Sequence, residues 1–192
     1  MCKLGVDENL FISKFRPVST LFLTGLLLAI SSFLFTGCMD DDSNVDDLNK
    51  EAEEAYFKQL AADTLTIKQY LADHNITNAK RTKSGLFYVE QTVGTGVQAK
   101  VGNIVKTNYT LFNLAGDVLD TSYGTGRTPY QFQLGGQGGP IYGYSEGVSL
   151  LKVGGKSTFY LPSGLAYGTT GSPPKIAPNT ILIFDIELLE AR

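Results

Sequence analysis

The spacing of apolar residues divides the chain into a helical part and a part built from strands. Two sets recur three and four positions apart: Ala52, Ala55, Tyr56 and Leu60, then Ile67, Tyr70 and Leu71. Because such residues share one face of a helix, the spacing predicts a helical segment over residues 48–82. Within it, Asp63 is expected to cap the start of a second helix, since an aspartate side chain accepts hydrogen bonds from free N–H groups there.

From Ser84 onward apolar and polar residues alternate, which is the period of β-strands. The alternation predicts strands over residues 86–92, 103–112, 118–120, 130–134, 156–161 and 180–189. A short helix is predicted over residues 142–151, with Tyr144, Val148 and Leu151 on its buried side. The predicted fold class is therefore α+β: a curved antiparallel β-sheet of five or six strands wrapped around one short α-helix, preceded by the N-terminal helical segment.

A long loop precedes the last predicted strand and contains Pro173, Pro174 and Pro178. Each proline ring fixes φ, so the loop is expected to be ordered. Long ordered loops inside compact domains usually have a function. The alternative is a purely structural connection in an ordinary β domain.

The first residues have the pattern of an export signal. Lys3, Lys14 and Arg16 precede an apolar run from Leu21 to Phe35, which is followed by Thr36-Gly37-Cys38. A basic start, an apolar stretch and small residues before the cleavage point are typical of signal peptides. The cysteine after Thr-Gly resembles a bacterial lipoprotein processing site. This pattern predicts a lipoprotein signal peptide over residues 1–37 and lipidation of Cys38. The alternative is a single membrane-spanning helix.

Charge changes along the chain in a way that suggests further boundaries. An acidic tether is predicted over residues 38–47. Residues 39–82 carry ten acidic and five basic side chains, whereas residues 83–192 carry seven acidic and eight basic ones. The helical segment 48–82 is therefore predicted to be distinct from a folded domain over residues 83–192. The formal net charge of −3 argues against a nucleic-acid partner.

Several kinds of chemistry have no matching residue pattern. The sequence contains no Ser-His-Asp set, no cluster of metal ligands and no phosphate-binding loop. His74 is the only histidine, and it has no obvious catalytic partner. The glycine-rich stretch 135–139 lacks the Lys-Ser/Thr pair of a nucleotide-binding loop. We therefore expect neither a metal nor a cofactor.

Six sequence blocks in the second half of the chain carry a family resemblance. They are residues 105–110 (VKTNYT), 120–122 (DTS), 134–135 (LG), 141–144 (IYGY), 166–168 (AYG) and 182–189 (LIFDIELL). In this order and spacing they resemble FKBP-type peptidyl-prolyl cis-trans isomerases. The resemblance extends from about Ser84 to Leu189.

The resemblance implies a set of site residues. It implies the catalytic residues Asp120, Tyr167, Tyr109 and Phe184, and the substrate-binding residues Leu119, Tyr130, Ile141, Tyr144 and Ile176. The backbone N–H of Ile141 and the hydroxyl of Tyr167 would donate hydrogen bonds to substrate carbonyls. Tyr144 would form the pocket floor, where the family usually has tryptophan. Arg127 could pair with Asp120, although the intervening loop differs in length from that of the family.

The function implied by the resemblance is isomerisation of X-Pro bonds in exported proteins, by an enzyme of the bacterial cell envelope that a lipid anchors to a membrane. The implied partners are proline-containing polypeptides. The alternative is a non-catalytic proline-binding chaperone or interaction module on the same fold. The N-terminal helices could also pair two copies into a homodimer.

Overall fold

The computed structural model describes residues 42–192, with side-chain burial from residue 47 onward. The predicted signal peptide 1–37 and Cys38 lie outside the described residues. Residues 42–192 belong to one compact unit. Within them, no helix has the length and apolar character needed to cross a bilayer.

The N-terminal segment is one continuous helix, α1, spanning Asp42–Asp73. The helix begins earlier than the predicted start at Leu48 and includes the end of the acidic stretch. The prediction of a second helix capped by Asp63 is wrong, because Asp63 lies inside α1. The helix ends where Asn75 adopts a left-handed φ of 56° and the N–H of Ile76 bonds to the carbonyl of Leu71 at 2.8 Å.

The rest of the described chain is an antiparallel sheet with one further α-helix, so the predicted α+β class is confirmed. Its seven strands are β1 (Lys80–Arg81), β2 (Phe87–Thr92), β3 (Ile104–Asn113), β4 (Val118–Thr121), β5 (Tyr130–Gln133), β6 (Lys156–Leu161) and β7 (Leu182–Ala191). They are ordered β1-β2-β6-β7-β3-β4, and β5 also pairs with β3. The strand beyond the predicted five or six is β1, which has only two residues.

Helix α2 spans Tyr142–Ser149 and packs closely on the sheet. A Cβ atom at Gly143 would lie 2.7 Å from Cδ2 of Leu161, and one at Gly147 would lie 3.0 Å from Cδ1 of Phe159. A Cβ atom at either position would require the side chain of Leu161 or Phe159 to shift. The close packing places Tyr144, one residue after Gly143, in the core beneath the sheet.

Each face of the sheet packs against a helix. On the face that meets α2, the predicted alternation in β7 is confirmed, since Leu182, Phe184, Ile186 and Leu188 are all buried in the main core. On the opposite face α1 covers part of the sheet, where Ile67 and Leu71 pack against a second cluster: Phe87, Tyr160, Ile181 and Ile183. Both helices therefore belong to the packed structure.

A buried polar contact also fixes α1 to the domain. The carboxylate of Asp63 accepts hydrogen bonds from the backbone N–H of Ser163 at 2.7 Å and from its hydroxyl at 2.6 Å. Asp63 is 3% exposed and Ser163 is fully buried. Ser163 begins a single 3₁₀ turn, Ser163–Leu165, directly after β6. The predicted boundary at residue 83 thus falls between two segments that are in contact, and independent folding of 83–192 stays a prediction.

Candidate active site

An aromatic cleft opens beside α2. Its volume is about 200 Å³, and it is lined by Tyr109, Leu111, Asp120, Tyr130, Pro140, Tyr144, Tyr167 and Phe184. Among the described residues that line the cleft, Asp120 is the only carboxylate, and no basic side chain is present. The cleft is therefore aromatic, with tyrosine hydroxyls and a single carboxylate, which suits a ligand that combines an apolar group with hydrogen-bonding groups.

The strand register brings the lining residues together. In β3 and β7, Leu111 is paired with Phe184 and Tyr109 with Ile186. On the other side of β3, Tyr130 pairs with Thr107, and β4 places Asp120 opposite Leu111. One strand, β3, thus organises three of its neighbours around the cleft, and α2 supplies Tyr144 from below.

The ring of Tyr144 lies at the centre of the aromatic side chains of the cleft. Its ring meets Phe184 edge to face at a centroid distance of 5.2 Å and an interplanar angle of 80°. It meets Tyr109 in the same way at 5.8 Å and 86°. Such edge-to-face contacts are favourable because the positive ring edge faces the negative ring face. They hold the walls of the cleft at fixed angles to its floor.

The hydroxyl of Tyr144 is buried and paired. It lies 2.7 Å from Oγ1 of Thr107 in a fully buried contact. Burial raises the pKa of Tyr144 well above its usual value. The floor of the cleft is therefore a neutral phenol whose polar atom is already satisfied, leaving its ring to face the ligand.

The carboxylate of Asp120 is held by three donors. It accepts hydrogen bonds from the hydroxyl of Tyr109 at 2.6 Å, from the backbone N–H of Thr121 at 2.9 Å and from Nη1 of Arg127 at 3.1 Å. The Arg127–Asp120 pair that the sequence left open is thus present. Arg127 also donates to the carbonyl of Thr121, which fixes its guanidinium at the rim.

These donors determine the charge state of Asp120. Partial burial would raise the pKa of this carboxyl, but the hydrogen bonds from Tyr109, Thr121 and Arg127, with the positive charge of Arg127, bring the pKa below its ordinary value of 3.8. Conversely, burial and the hydrogen bond to Asp120 raise the pKa of Tyr109 far above the usual range. The pair is therefore an ionised carboxylate and a neutral phenol at physiological pH.

Two hydrogen-bond donors beside the cleft are free. Within the described residues, neither the backbone N–H of Ile141 nor the hydroxyl of Tyr167 has a hydrogen-bond partner. Tyr167 is 37% exposed. Its loop is held by a bond from the N–H of Gly168 to the carbonyl of Ser163 at 2.8 Å. Both groups can therefore donate hydrogen bonds to a ligand without breaking existing ones.

Six of the nine predicted site residues line the cleft: Tyr109, Asp120, Tyr130, Tyr144, Tyr167 and Phe184. The other three pack against the same core without lining the cleft. Ile176 is buried within that core, and Leu119 and Ile141 are half-buried against it. The alternation of β3 already placed Leu111 on the face of Tyr109, whereas nothing in the sequence marked Pro140.

The contact between Asp63 and Ser163 was also missed. A signal for it exists in the sequence, because Asp63 lies four residues before Ile67 and eight before Leu71, on the same helix face. A carboxylate in an apolar stripe indicates a buried polar partner. Across residues 42–192, no group of histidine, cysteine, aspartate or glutamate residues is arranged to hold a metal ion.

Comparison with known proteins agrees with this fold. The family model described as FKBP-type peptidyl-prolyl cis-trans isomerase matches residues 96–189. The crystal structure of FkpA from Escherichia coli superposes with a TM-score of 0.59 at 32% identity, covering 78% of this chain and 68% of that one. The crystal structure of AtFKBP13 gives a TM-score of 0.54 at 33% identity, covering 59% of this chain and 98% of that one.

Proteins with similar sequences are described as members of the same family. A protein of Neisseria meningitidis described as a probable FKBP-type peptidyl-prolyl cis-trans isomerase FkpA is 39% identical over 142 residues, which are 74% of this chain and 46% of the relative. FkpA of Aeromonas hydrophila is 37% identical over 149 residues, covering 77% and 53%. The chain belongs to the FKBP-type peptidyl-prolyl cis-trans isomerase family. It spans about half the length of these two relatives.

Proposed function

We propose that this protein is a peptidyl-prolyl cis-trans isomerase that acts on X-Pro bonds of polypeptides. The observation that carries the proposal is the aromatic cleft itself, which combines an apolar floor and walls with one ionised carboxylate and two free donors. Family membership supports the same activity. No cofactor is needed, because the reaction breaks no covalent bond.

The chemistry of the amide explains why an apolar cleft suits this reaction. The rotation barrier of about 18–20 kcal/mol comes from amide resonance, which is lost as the bond twists. A twisted amide is less polar than a planar one. An environment with little water therefore favours the transition state over the ground state. In this proposal Tyr144, Tyr130 and Phe184 surround the proline ring and exclude water.

Polar groups would hold the substrate chain on either side of the twisting bond. The N–H of Ile141 and the hydroxyl of Tyr167 would each donate a hydrogen bond to a substrate carbonyl. Asp120 would place its carboxylate near the twisting carbonyl, with Tyr109 and Arg127 fixing its position. Leu119 and Ile176 would support this arrangement from behind rather than touch the proline. Groups that are already oriented before binding need no rearrangement during the reaction.

The test is an isomerisation assay on short proline peptides with the purified protein, by isomer-specific proteolysis or NMR exchange. We expect the cis-to-trans rate to increase in proportion to protein concentration. A protein that binds the same peptides without accelerating the exchange would instead be the proline-binding chaperone that the sequence left as an alternative.

We further propose that the protein works in the bacterial cell envelope, anchored by lipid on Cys38, and that exported proteins are its substrates. The basic and apolar pattern before Thr36-Gly37-Cys38 supports this, as do its bacterial FkpA-type relatives. Cys38→Ser is expected to accumulate as an unprocessed precursor. A Cys38→Ser protein that matures and fractionates with membranes like the wild type would rule out the anchor.

The N-terminal half of α1 supports a proposal of pairing between two copies. Leu48 and Phe57 are large apolar residues on this part of the helix, and they are 65% and 56% exposed. Pairing of two such helices would remove these residues from water. Sedimentation equilibrium is expected to show a dimer that Phe57→Glu dissociates. A monomeric wild-type protein would rule the pairing out.

A further inference from the structure

A second groove borders the aromatic cleft. It has a volume of about 490 Å³ and lies between the outer side of α2 and the glycine-rich loop before it. Pro140 lines both the groove and the aromatic cleft. The two spaces are thus separated only by the short segment Pro140–Ile141, whose Ile141 N–H is free.

The groove is apolar with one acidic group. Its apolar lining includes Val101, Leu134, Pro140 and Tyr142. Val101 is 80% exposed and Tyr142 is 68% exposed, although both are large apolar side chains. Adjacent exposed apolar residues at the edge of a proposed site are a feature of surfaces that bind a ligand.

Within residues 42–192, Glu146 is the only charged residue that lines this groove. The hydroxyl of Ser84 donates to its two carboxylate oxygens at 2.8 and 2.7 Å, so the side chain is held in place. No basic side chain lines the groove to balance it. An apolar ligand group is therefore favoured here, and an acidic one is disfavoured by charge.

We propose that this groove is a substrate subsite, which binds the side chain of the second residue after the proline and prefers a large apolar one. The inference rests on the proposed isomerase function. In this proposal the substrate's proline carbonyl accepts a hydrogen bond from the N–H of Ile141, and the following chain crosses Pro140, which lines both spaces. An extended chain advances about 3.3–3.6 Å per residue, so the second residue after the proline reaches beyond this segment.

The test compares peptides that differ only at that second position, carrying phenylalanine, alanine or glutamate. For the wild-type protein we expect the highest kcat/KM with phenylalanine and the lowest with glutamate. Tyr142→Ala should lower kcat/KM for the phenylalanine peptide about 5-fold or more, as expected for a lost apolar contact, and leave the alanine peptide unchanged. Tyr142→Phe should retain the preference. Leu65→Ala, which changes an exposed apolar residue of α1 outside the proposed pairing contact, is the control and should change neither peptide.

Equal kcat/KM for the three peptides would overturn the subsite while leaving the isomerase function intact. An equal loss on all peptides in Tyr142→Ala would overturn it too, since Tyr142 would then act on the cleft as a whole. If no peptide is isomerised, the proposed function fails. Fluorescence titration with the same peptides then decides separately whether the groove selects phenylalanine.

Discussion

The hydroxyl of Tyr109 lies 2.6 Å from a carboxylate oxygen of Asp120, and this hydrogen bond joins strands β3 and β4 at the rim of the aromatic cleft. The tyrosine is part of the aromatic wall, and the aspartate is the only charge in the lining. The bond therefore couples the apolar part of the cleft to its polar part, and it fixes the direction in which the carboxylate points.

Removing the Asp120 carboxylate should affect the rate much more than the fold. Its side chain is 45% exposed, so Asp120→Ala leaves little apolar area uncovered and should change the melting temperature only slightly. If the carboxylate acts on the twisted amide, kcat/KM should fall about 10-fold or more, which corresponds to roughly 1.4 kcal/mol of barrier. Peptide isomerisation and thermal unfolding on the same sample measure both quantities.

Asp117→Asn is the matched control, because Asp117 lies on the same hairpin and bonds to Asn113 rather than to the cleft. It should isomerise peptides at the wild-type rate. Wild-type kcat/KM in Asp120→Ala, with an unchanged melting temperature, would show that Asp120 is not catalytic.

The pH dependence of kcat/KM should be sensitive to the groups that donate hydrogen bonds to Asp120. Its folded-state pKa is below the ordinary 3.8, so the stability given by the ionised form is present above that ordinary value and is lost as pH falls through the lower, folded-state pKa. Tyr109→Phe removes one donor that lowers this pKa, while burial, which raises it, remains. The acid limb of kcat/KM should therefore move to higher pH in Tyr109→Phe. An acid limb at the same pH in both proteins would contradict this.

Substitutions of two core residues that line the cleft should have different effects on stability and activity. Phe184→Ala removes a buried ring from the middle of β7 and should cost about 3–5 kcal/mol of unfolding free energy. Tyr144→Phe keeps the ring and loses only the buried bond to Thr107, so the cost should be about 1–2 kcal/mol with most activity retained. Denaturant unfolding measures both. A Tyr144→Phe protein that is fully stable but inactive would assign the hydroxyl itself to catalysis.

The contact from α1 to the 3₁₀ turn should support the position of Tyr167. Asp63→Ala leaves the N–H and hydroxyl of Ser163 without their acceptor, which should cost about 1–3 kcal/mol. It should also raise KM, because the turn that precedes Tyr167 is released. Asp63→Asn, which retains a carbonyl oxygen, should restore part of both. Urea unfolding and peptide kinetics together measure these effects.

Asp73→Ala is the control for this experiment. Asp73 accepts a bond from Gln69 at 2.7 Å, just as Asp63 does from Gln59 at 2.8 Å, but it is exposed at the helix end. It should change neither stability nor KM appreciably. If Asp63→Ala loses stability with wild-type KM, the contact is structural only.

Truncation should reveal how far the domain depends on α1. Residues 83–192 lack Ile67 and Leu71, so Phe87, Tyr160 and Ile183 lose their cover. We expect this fragment to be about 3–6 kcal/mol less stable than residues 42–192, at 1.5–3 kcal/mol for each fully buried large apolar side chain. Residues 74–192, which keep β1, separate the contribution of that strand from that of the helix. Equal stability of the fragments 42–192 and 83–192 would show that α1 is dispensable.

Much of the fold was predictable because local patterns determine it. The alternation in β7 placed Leu182, Phe184, Ile186 and Leu188 correctly on one face. The cleft was predictable only through the family resemblance, since its residues come from distant parts of the chain. The alternation of apolar and polar residues along β3 does not indicate that Tyr109 donates a hydrogen bond to Asp120.

The errors concern contacts between distant segments. Asp63 has the chemistry of a helix cap, and its place on the apolar stripe of α1 indicates a buried polar partner without showing that the partner is Ser163, one hundred residues later. Likewise, the charge difference near residue 83 indicated a boundary, but charge describes the surface. The packed structure begins where Ile67 and Leu71 are buried. The pattern of a single sequence does not show which part of the sheet these residues pack against.

The continuity of α1 has a consequence for how the cleft is oriented. At 1.5 Å per residue, its 32 residues extend about 48 Å, and residues 47–58 are exposed along their whole length. Because α1 is continuous and is bonded through Asp63 to the turn before Tyr167, the direction of its exposed end is linked to the direction in which the cleft opens. If the first turns of the helix are immobilised, the orientation of the cleft is therefore restricted as well as its distance from the point of attachment. Substrate chains would then reach the cleft from a limited set of directions.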